Sequence, residues 1–195
     1  MAMTPGERSL GPVQCAWRPH RRGSRAEPVV RDWLAGPLQA DAAALPLSRD
    51  ARGRPQLGAP HDRTDINWSH SGDGLMMARG DDVRLGADLE RVRPRPQALE
   101  LARRFFSSSE AAHLEALADG EREQAFVRLW CAKEAVLKAH GQGLSFGLHR
   151  LRFAADGRDW ILVDCDPALG APADWSLHGF EPAPGYFAAL AWKCV

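Results

Sequence analysis

Apolar and polar positions alternate with a period of two along three consecutive stretches, INWSHS, LMMAR and VRLGADLERV, with the turn sequences GDG and GDD between them. That pattern predicts a three-stranded antiparallel meander. Upstream, residues 1–15 read as a loose tail, EPVVRDWLAGPL as a short helix, and LSRDARGRPQLGAP as a loop rich in Pro, Gly and Arg. Downstream of RPRP the period lengthens. Two short helices are predicted there, with Ser107 and Glu110 at capping-box spacing ahead of AAHLEAL and a stop at Asp119 and Gly120. A longer helix follows from Glu121 through WCAKEAVLKAHG. The runs LHRLRF, WILVDC, WSLHGF and GYFAALAW then predict a second antiparallel sheet, in which Asp156 and Gly157 supply a hairpin turn. Both halves are of helix-plus-meander type, which makes the fold class α+β.

At 3.6 residues per turn the long helix places Phe126, Leu129, Trp130, Val136 and Leu137 on one face. Lys133 falls in the middle of that stripe. Glu134 and Lys138 stand one turn apart on its flank beside Val127 and Cys131, while Gln124, Arg128 and Ala135 point to water. Lys133 could simply snorkel, and Glu134 and Lys138 could form an ordinary i,i+4 pair. Composition favours a second reading. Of the 25 Lys plus Arg residues only Lys133, Lys138 and Lys193 are lysine, so the chain uses arginine almost wherever a generic cation suffices. A lysine kept in such a chain suits a site that needs a compact point charge able to move a proton.

A chain of 195 residues with 45% hydrophobic content can bury a substantial core. It contains no apolar run long enough to span a bilayer, and MAMTPGERSLGPV lacks the apolar centre of a signal peptide, so a cytoplasmic protein without membrane partners is expected. A monomer is expected too. Cys15, Cys131, Cys165 and Cys194 are widely spaced, without CxxC pairs, which indicates neither a disulfide framework nor a zinc site. The formal net charge of zero argues against a nucleic-acid partner. Local anion binding is another matter, because RPHRRGSRAEPVVR and RVRPRPQALELARR concentrate arginine.

In VRLGADLERV the strand period places Val83, Leu85, Ala87 and Leu89 on one face and Arg84, Asp88 and Glu90 on the other. Alternate Cα atoms lie about 6.6 to 6.8 Å apart, so both carboxylates can reach one hard, oxygen-bound cation. A solvated strand face is the plainer alternative. Ser69 and His70 are adjacent on a strand and face opposite ways, which excludes a direct Ser-His dyad. His70 shares a face with Ile66 and Trp68, and reads either as a core histidine or as an anion contact at the strand end. Arg52 and Arg54 flank Gly53 in a loop where backbone and guanidinium could approach a phosphate. Glu110 is already explained by its capping spacing from Ser107.

Taken together, GADLE, RFFSSSE and WCAKEAVLKAHGQGLS resemble the 4'-phosphopantetheinyl transferases, specifically the larger, Sfp-like single-chain class. The segments GRP, WSHSG, Gly86 with Asp88, Trp130 through Lys138, and PGYFAA occur in family order between Leu47 and Ala191. The resemblance implies two similar lobes, 1–85 and 86–195, related by a pseudo-twofold axis with a ligand cleft between them. It further implies that Asp88, Glu90 and Glu134 surround Mg2+ on the pyrophosphate of coenzyme A, and that Lys138 touches that pyrophosphate. His70 and Arg54 would face the 3'-phosphate and nucleotide, with Gly53 and Ser69 in the same two motifs, Lys133 bordering the cleft, and Arg22 or Arg25 supplying basic groups from the amino-terminal part.

The implied reaction moves the phosphopantetheine arm of coenzyme A to a serine of an apo acyl, peptidyl or aryl carrier protein and releases adenosine 3',5'-bisphosphate. Glu134 is the candidate base, with Glu110 or a metal-bound water sharing that task, and Lys138 the cation at the leaving phosphate. An acidic carrier helix would meet the arginines of RVRPRPQALELARR. Two alternatives stand beside this reading: a catalytically weak relative that binds coenzyme A or the carrier, and a metal-dependent phosphohydrolase.

Overall fold

The computed structural model describes residues 3–195. The expected amino-terminal tail is instead a hairpin of β1 (Gly6–Leu10) and β2 (Val13–Pro19), of which only residues 1–2 lie outside the described residues. Gly11, at φ +55°, makes its turn. The hairpin escapes a hydropathy reading because β1 exposes Glu7, Arg8 and Ser9 in succession, leaving no alternation to detect. The Arg/Gly/Pro loop likewise contains a small hairpin, β3 (Leu47–Arg49) with β4 (Pro55–Leu57).

β5 (Thr64–Ser71) and β6 (Gly74–Asp81) pair as expected, but β7 (Val83–Arg91) does not complete the meander. The free edge of β6 is taken by β2, giving a sheet of order β1-β2-β6-β5. β7 instead pairs with β11 (Tyr186–Cys194), which also pairs β10 (Ser176–Phe180). β8 (Leu151–Asp156) and β9 (Asp159–Cys165) form a separate hairpin, so the expected second sheet is two sheets, one of them completed by β7. A domain boundary between residues 85 and 86 falls inside β7.

α1 (Glu27–Leu38) coincides with the predicted helix. Its Val30 and Leu34 pack on Ile66, Leu75 and Met77 of the first sheet. The opposite face of that sheet, including Cys15, Trp17, Met76 and Ala78, meets Val83, Leu85, Ala87 and Leu89 of β7 and the facing residues of β11. Beyond the second sheet lie α2 (Ala98–Phe105), α3 (Ser108–Ala116) and α4 (Asp119–His140). The layers are therefore helix, sheet, sheet, helix, an α+β arrangement with antiparallel sheets.

α4 crosses β7 at Gly86. A Cβ there would stand 2.0 Å from Ala135 O and 2.4 Å from Ala139 N, so only glycine admits the helix at this depth. Ala135 is consequently buried in this contact rather than facing water as the helical wheel suggested. The same crossing brings the next turn of α4 over Asp88.

Candidate active site

β5 and β7 run parallel along the border between the two main sheets without pairing backbone to backbone. Side chains of β5 take the place of a neighbouring strand. Leu85 N donates to Asp65 Oδ2 at 2.7 Å, Ala87 N to Asn67 Oδ1 at 3.2 Å and Arg91 N to Ser71 Oγ at 3.1 Å. Two hydroxyls of the same series turn to the acids: Ser69 Oγ donates to Asp88 Oδ1 at 3.0 Å and Ser71 Oγ to Glu90 Oε2 at 3.1 Å. The motif TDINWSHS thus carries a polar residue at every second position because each one reaches β7.

Asp88 is buried, and its Oδ1 also receives Lys138 Nζ at 2.6 Å. Lys138 Nζ lies 3.0 Å from Ser69 Oγ as well, closing a triangle on one carboxylate oxygen. The other oxygen, Asp88 Oδ2, is buried with no hydrogen-bond partner, an uncommon and costly state for a carboxylate. Glu90 is held by Ser71 and by Arg95 Nη2 at 2.7 Å. Glu134 is buried on the α4 side of the same cluster.

The electrostatics show how closely these groups feel one another. Burial, reinforced by the negative charges of Asp88 and Glu90 and only partly opposed by Lys138, pushes the Glu134 carboxyl up to about 7. Burial and Asp88 raise Glu90 in the same direction. Burial works against the Lys138 ammonium, but Asp88 outweighs it and holds the group above the usual lysine range. Its ion pair is with Asp88 rather than with Glu134 one turn away.

Among the described residues no three Asp, Glu, His or Cys side chains stand close enough, as placed, to hold a metal ion. The donor chemistry nonetheless fits a hard cation: three carboxyl groups repel one another, one buried oxygen is bare, and Lys138 supplies the compensating charge in this arrangement.

Next to Lys138 opens a cavity of about 240 Å³, lined by Arg49, Arg52, Gly53, Arg54, Pro55, Asn67, Trp68 and the turn Gly141–Gly143. Gly53, expected near a phosphate, lies on its wall. Arg54 departs from its expected role at a phosphate. Its guanidinium pairs with both oxygens of buried Asp65 and donates to the carbonyls of Pro55, Leu85 and Lys138, so its donors are spent within the protein. It braces the β3–β4 hairpin against β7 and α4.

Glu110 and Lys133 are also placed away from the acids. Lys133 is fully buried, 2.9 Å from Glu110 Oε1, and donates to the carbonyls of Leu148 and Leu151. Phe106 and Phe153 lie against its ammonium. Glu110 accepts from Ser107 N and Phe153 N and completes the capping box of α3. Burial, opposed by Glu110, lowers Lys133 to about 8. The pair ties α3, α4 and β8 together. It has the contacts of a structural brace, not of a catalytic base and a cleft cation.

His70 is exposed, not a core histidine, and its ring meets that of His20 edge to face at 6.0 Å. Immediately after His20 comes an exposed loop carrying Arg21, Arg22 and Arg25, with His20 Nε2 bonded to Ser24 O within it. Arg49, Ser71, Asn67, Trp68 and Arg95 were not anticipated. Of these, Ser71 and Asn67 were readable from the polar parity of β5, whereas Arg95 and Arg49 stand in arginine-rich segments that offer no means of choosing among them.

One strand and one crossing helix thus collect three carboxylates and a lysine beside a cavity lined by arginines. The chain belongs to the 4'-phosphopantetheinyl transferase superfamily, whose family model matches residues 84–190. It is similar to the 4'-phosphopantetheinyl transferase HetI of Nostoc sp., with 33% identity over 88% of this chain and 70% of HetI. Sfp of Bacillus subtilis is 33% identical over 83% of this chain and 69% of its own length, and AcpT of Salmonella typhimurium 37% identical over 70% and 65%. A relative from Synechocystis sp. is 36% identical, and there the match spans 50% of the relative's length.

Proposed function

We propose that this chain transfers the 4'-phosphopantetheine arm of coenzyme A to a serine of an apo carrier protein, releasing adenosine 3',5'-bisphosphate. The observation that carries the reading is the meeting of Asp88, Glu90 and Glu134 with Lys138, which itself lines the neighbouring basic cavity, in a family whose members are named for this transfer. The nucleotide end of coenzyme A occupies the cavity, and its pyrophosphate lies at Lys138. Asp88, Glu90 and Glu134 are the residues that would hold Mg2+, which would neutralise pyrophosphate charge when bound.

Glu134 takes the proton as the carrier's serine oxygen bonds to the phosphorus of the arm and the bond from that phosphorus to the bridging oxygen breaks. Lys138 stays against the departing phosphate and offsets its charge. Ser69 Oγ holds the Asp88 oxygen that Lys138 contacts, which leaves Asp88 Oδ2 as the buried oxygen without a partner. His70 and the arginines after His20 form the basic border for the 3'-phosphate. The same reading includes two lobes divided near residue 85 with the cleft between them, a monomeric cytoplasmic protein, and an acidic carrier docking beside Arg91, Arg93 and Arg104. No helix among the described residues is long and apolar enough to cross a membrane.

The test is to incubate the chain with coenzyme A, Mg2+ and an apo carrier protein and to weigh the carrier intact. Transfer adds the arm to the carrier, and Asp88→Asn abolishes the gain while leaving the circular dichroism spectrum unchanged. An unmodified carrier with intact coenzyme A would reduce the protein to a binding relative. Coenzyme A consumed without carrier modification would make it a phosphohydrolase. A full rate in chelator-treated protein would remove the metal from the reading.

A further inference from the structure

Asp88 and Glu90 are gripped in the same way. Asp88 Oδ1 accepts from one hydroxyl of β5, Ser69, at 3.0 Å and from the ammonium of Lys138 at 2.6 Å. Glu90 Oε2 accepts from the next outward hydroxyl of β5, Ser71, at 3.1 Å and from the guanidinium of Arg95 at 2.7 Å. Each acid is thus held through a single oxygen by one neutral donor and one cation. The two cations offset the two strand acids one for one, and neither is ion-paired to Glu134.

Arg95 differs from the arginines around it. Arg91 and Arg103 pair with Asp73 and Glu115 in solvent, whereas the Arg95 side chain is 19% exposed and turns to an acid of the site. Pro94 and Pro96 confine its backbone, and its carbonyl accepts from Ala98 N at the start of α2. Its Nε is buried without a partner, an unfavourable state that accompanies the bond from Nη2 to Glu90. A divalent cation arriving alone meets strand acids whose charge is already matched, and it is repelled by Arg95 and Lys138. A cation arriving on a diphosphate brings negative charge with it and offers those two residues a second anionic partner. We propose that Arg95 is a positioning residue and internal counter-cation of Glu90 that keeps free divalent metal out of the acid cluster, so that metal enters only together with the diphosphate of coenzyme A. This role rests on the placement of Mg2+ at Asp88, Glu90 and Glu134 proposed above, and goes beyond it in fixing what the metal must bring with it.

The experiment is equilibrium dialysis of the full chain against Mn2+, with protein-bound metal measured in the absence and presence of coenzyme A. The wild-type chain binds Mn2+ at least about tenfold more weakly alone than with coenzyme A. Arg95→Met and Arg95→Gln, which remove the charge and respectively drop or keep a donor to Glu90, each tighten the binding of Mn2+ alone about tenfold and narrow the gain from coenzyme A. Arg95→Lys restores the wild-type pattern. A residue that served only to hold the chain in shape would give weaker or unchanged metal binding when lost, never tighter. Failure of both neutral variants to tighten Mn2+ binding, or wild-type binding that is equally tight with and without coenzyme A, overturns the proposal. Asp88→Asn separates this role from the reading beneath it. If Asp88→Asn loses the coenzyme A-dependent metal while the neutral Arg95 variants match wild type, the role of Arg95 alone fails. If Asp88→Asn binds Mn2+ as wild type does, the metal placement fails and the role of Arg95 falls with it.

Discussion

Glu134 is an acid kept among acids, and that placement has two consequences of opposite sign. For transfer, the carboxylate is the form that accepts a proton, so the rate is expected to fall as the pH is lowered. For stability, a carboxyl whose folded value lies above its unfolded one binds its proton more tightly in the folded chain. The stability it contributes is present below the unfolded value near 4.5 and is lost as pH rises through about 7. Glu134→Gln removes the charge that causes the loss. It is expected to abolish transfer, to raise Tm at pH 8 and to leave Tm nearly unchanged at pH 4, which paired thermal melts check. At this scale, Asp88, Glu90 and Lys138 were legible because strand parity and helical spacing fix which way they point. Arg54, Glu110 and Lys133 were misleading for a physical reason. Sequence order shows that a donor exists, but not whether a carbonyl such as Leu148 O or a carboxylate such as Asp65 has already taken it.

At the scale of elements, the crossing of α4 over β7 sets the distance between the helix that carries Glu134 and Lys138 and the strand that carries Asp88. Gly86→Ala would drive a methyl group into the backbone of Ala135, where no side chain can rotate away. The expected cost is about 3 kcal/mol or more in urea unfolding, accompanied by loss of transfer. The Glu110–Lys133 brace predicts a different pattern. Lys133→Met leaves Glu110 buried without its cation and is expected to cost about 3 to 5 kcal/mol. Adding Glu110→Gln removes the unpaired charge while keeping an acceptor for Phe153 N, so the double variant should be more stable than Lys133→Met alone. Urea melts of the single and double variants measure the difference. The elements themselves were largely readable: the limits of α1, the capping box of α3 and the hairpin turn at Asp156 and Gly157 follow from local chemistry. The hairpin of β1 and β2 did not, because Glu7, Arg8 and Ser9 break the alternation that marks a strand.

For the whole molecule, that one hairpin decides the topology. Once β2 occupies the edge of β6, β7 is free to join β11, and the meander expected from three alternating runs is divided between two sheets. Partner choice of this kind depends on which edges are vacant, a property no short window of sequence contains. The border between β5 and β7 remains, bridged by Asp65, Asn67 and Ser71 instead of by a backbone ladder. Along β7 the amides therefore report on two different joints. Those of Leu85, Ala87 and Arg91 are protected by side chains of the other sheet, while the alternate amides point towards β11. Deuterium uptake resolved by NMR should separate the two sets, with the first exchanging faster wherever the sheets part without unfolding. Adding coenzyme A should slow that set and leave the other unchanged, so neighbouring protons on a single strand become a clock for the opening of the site.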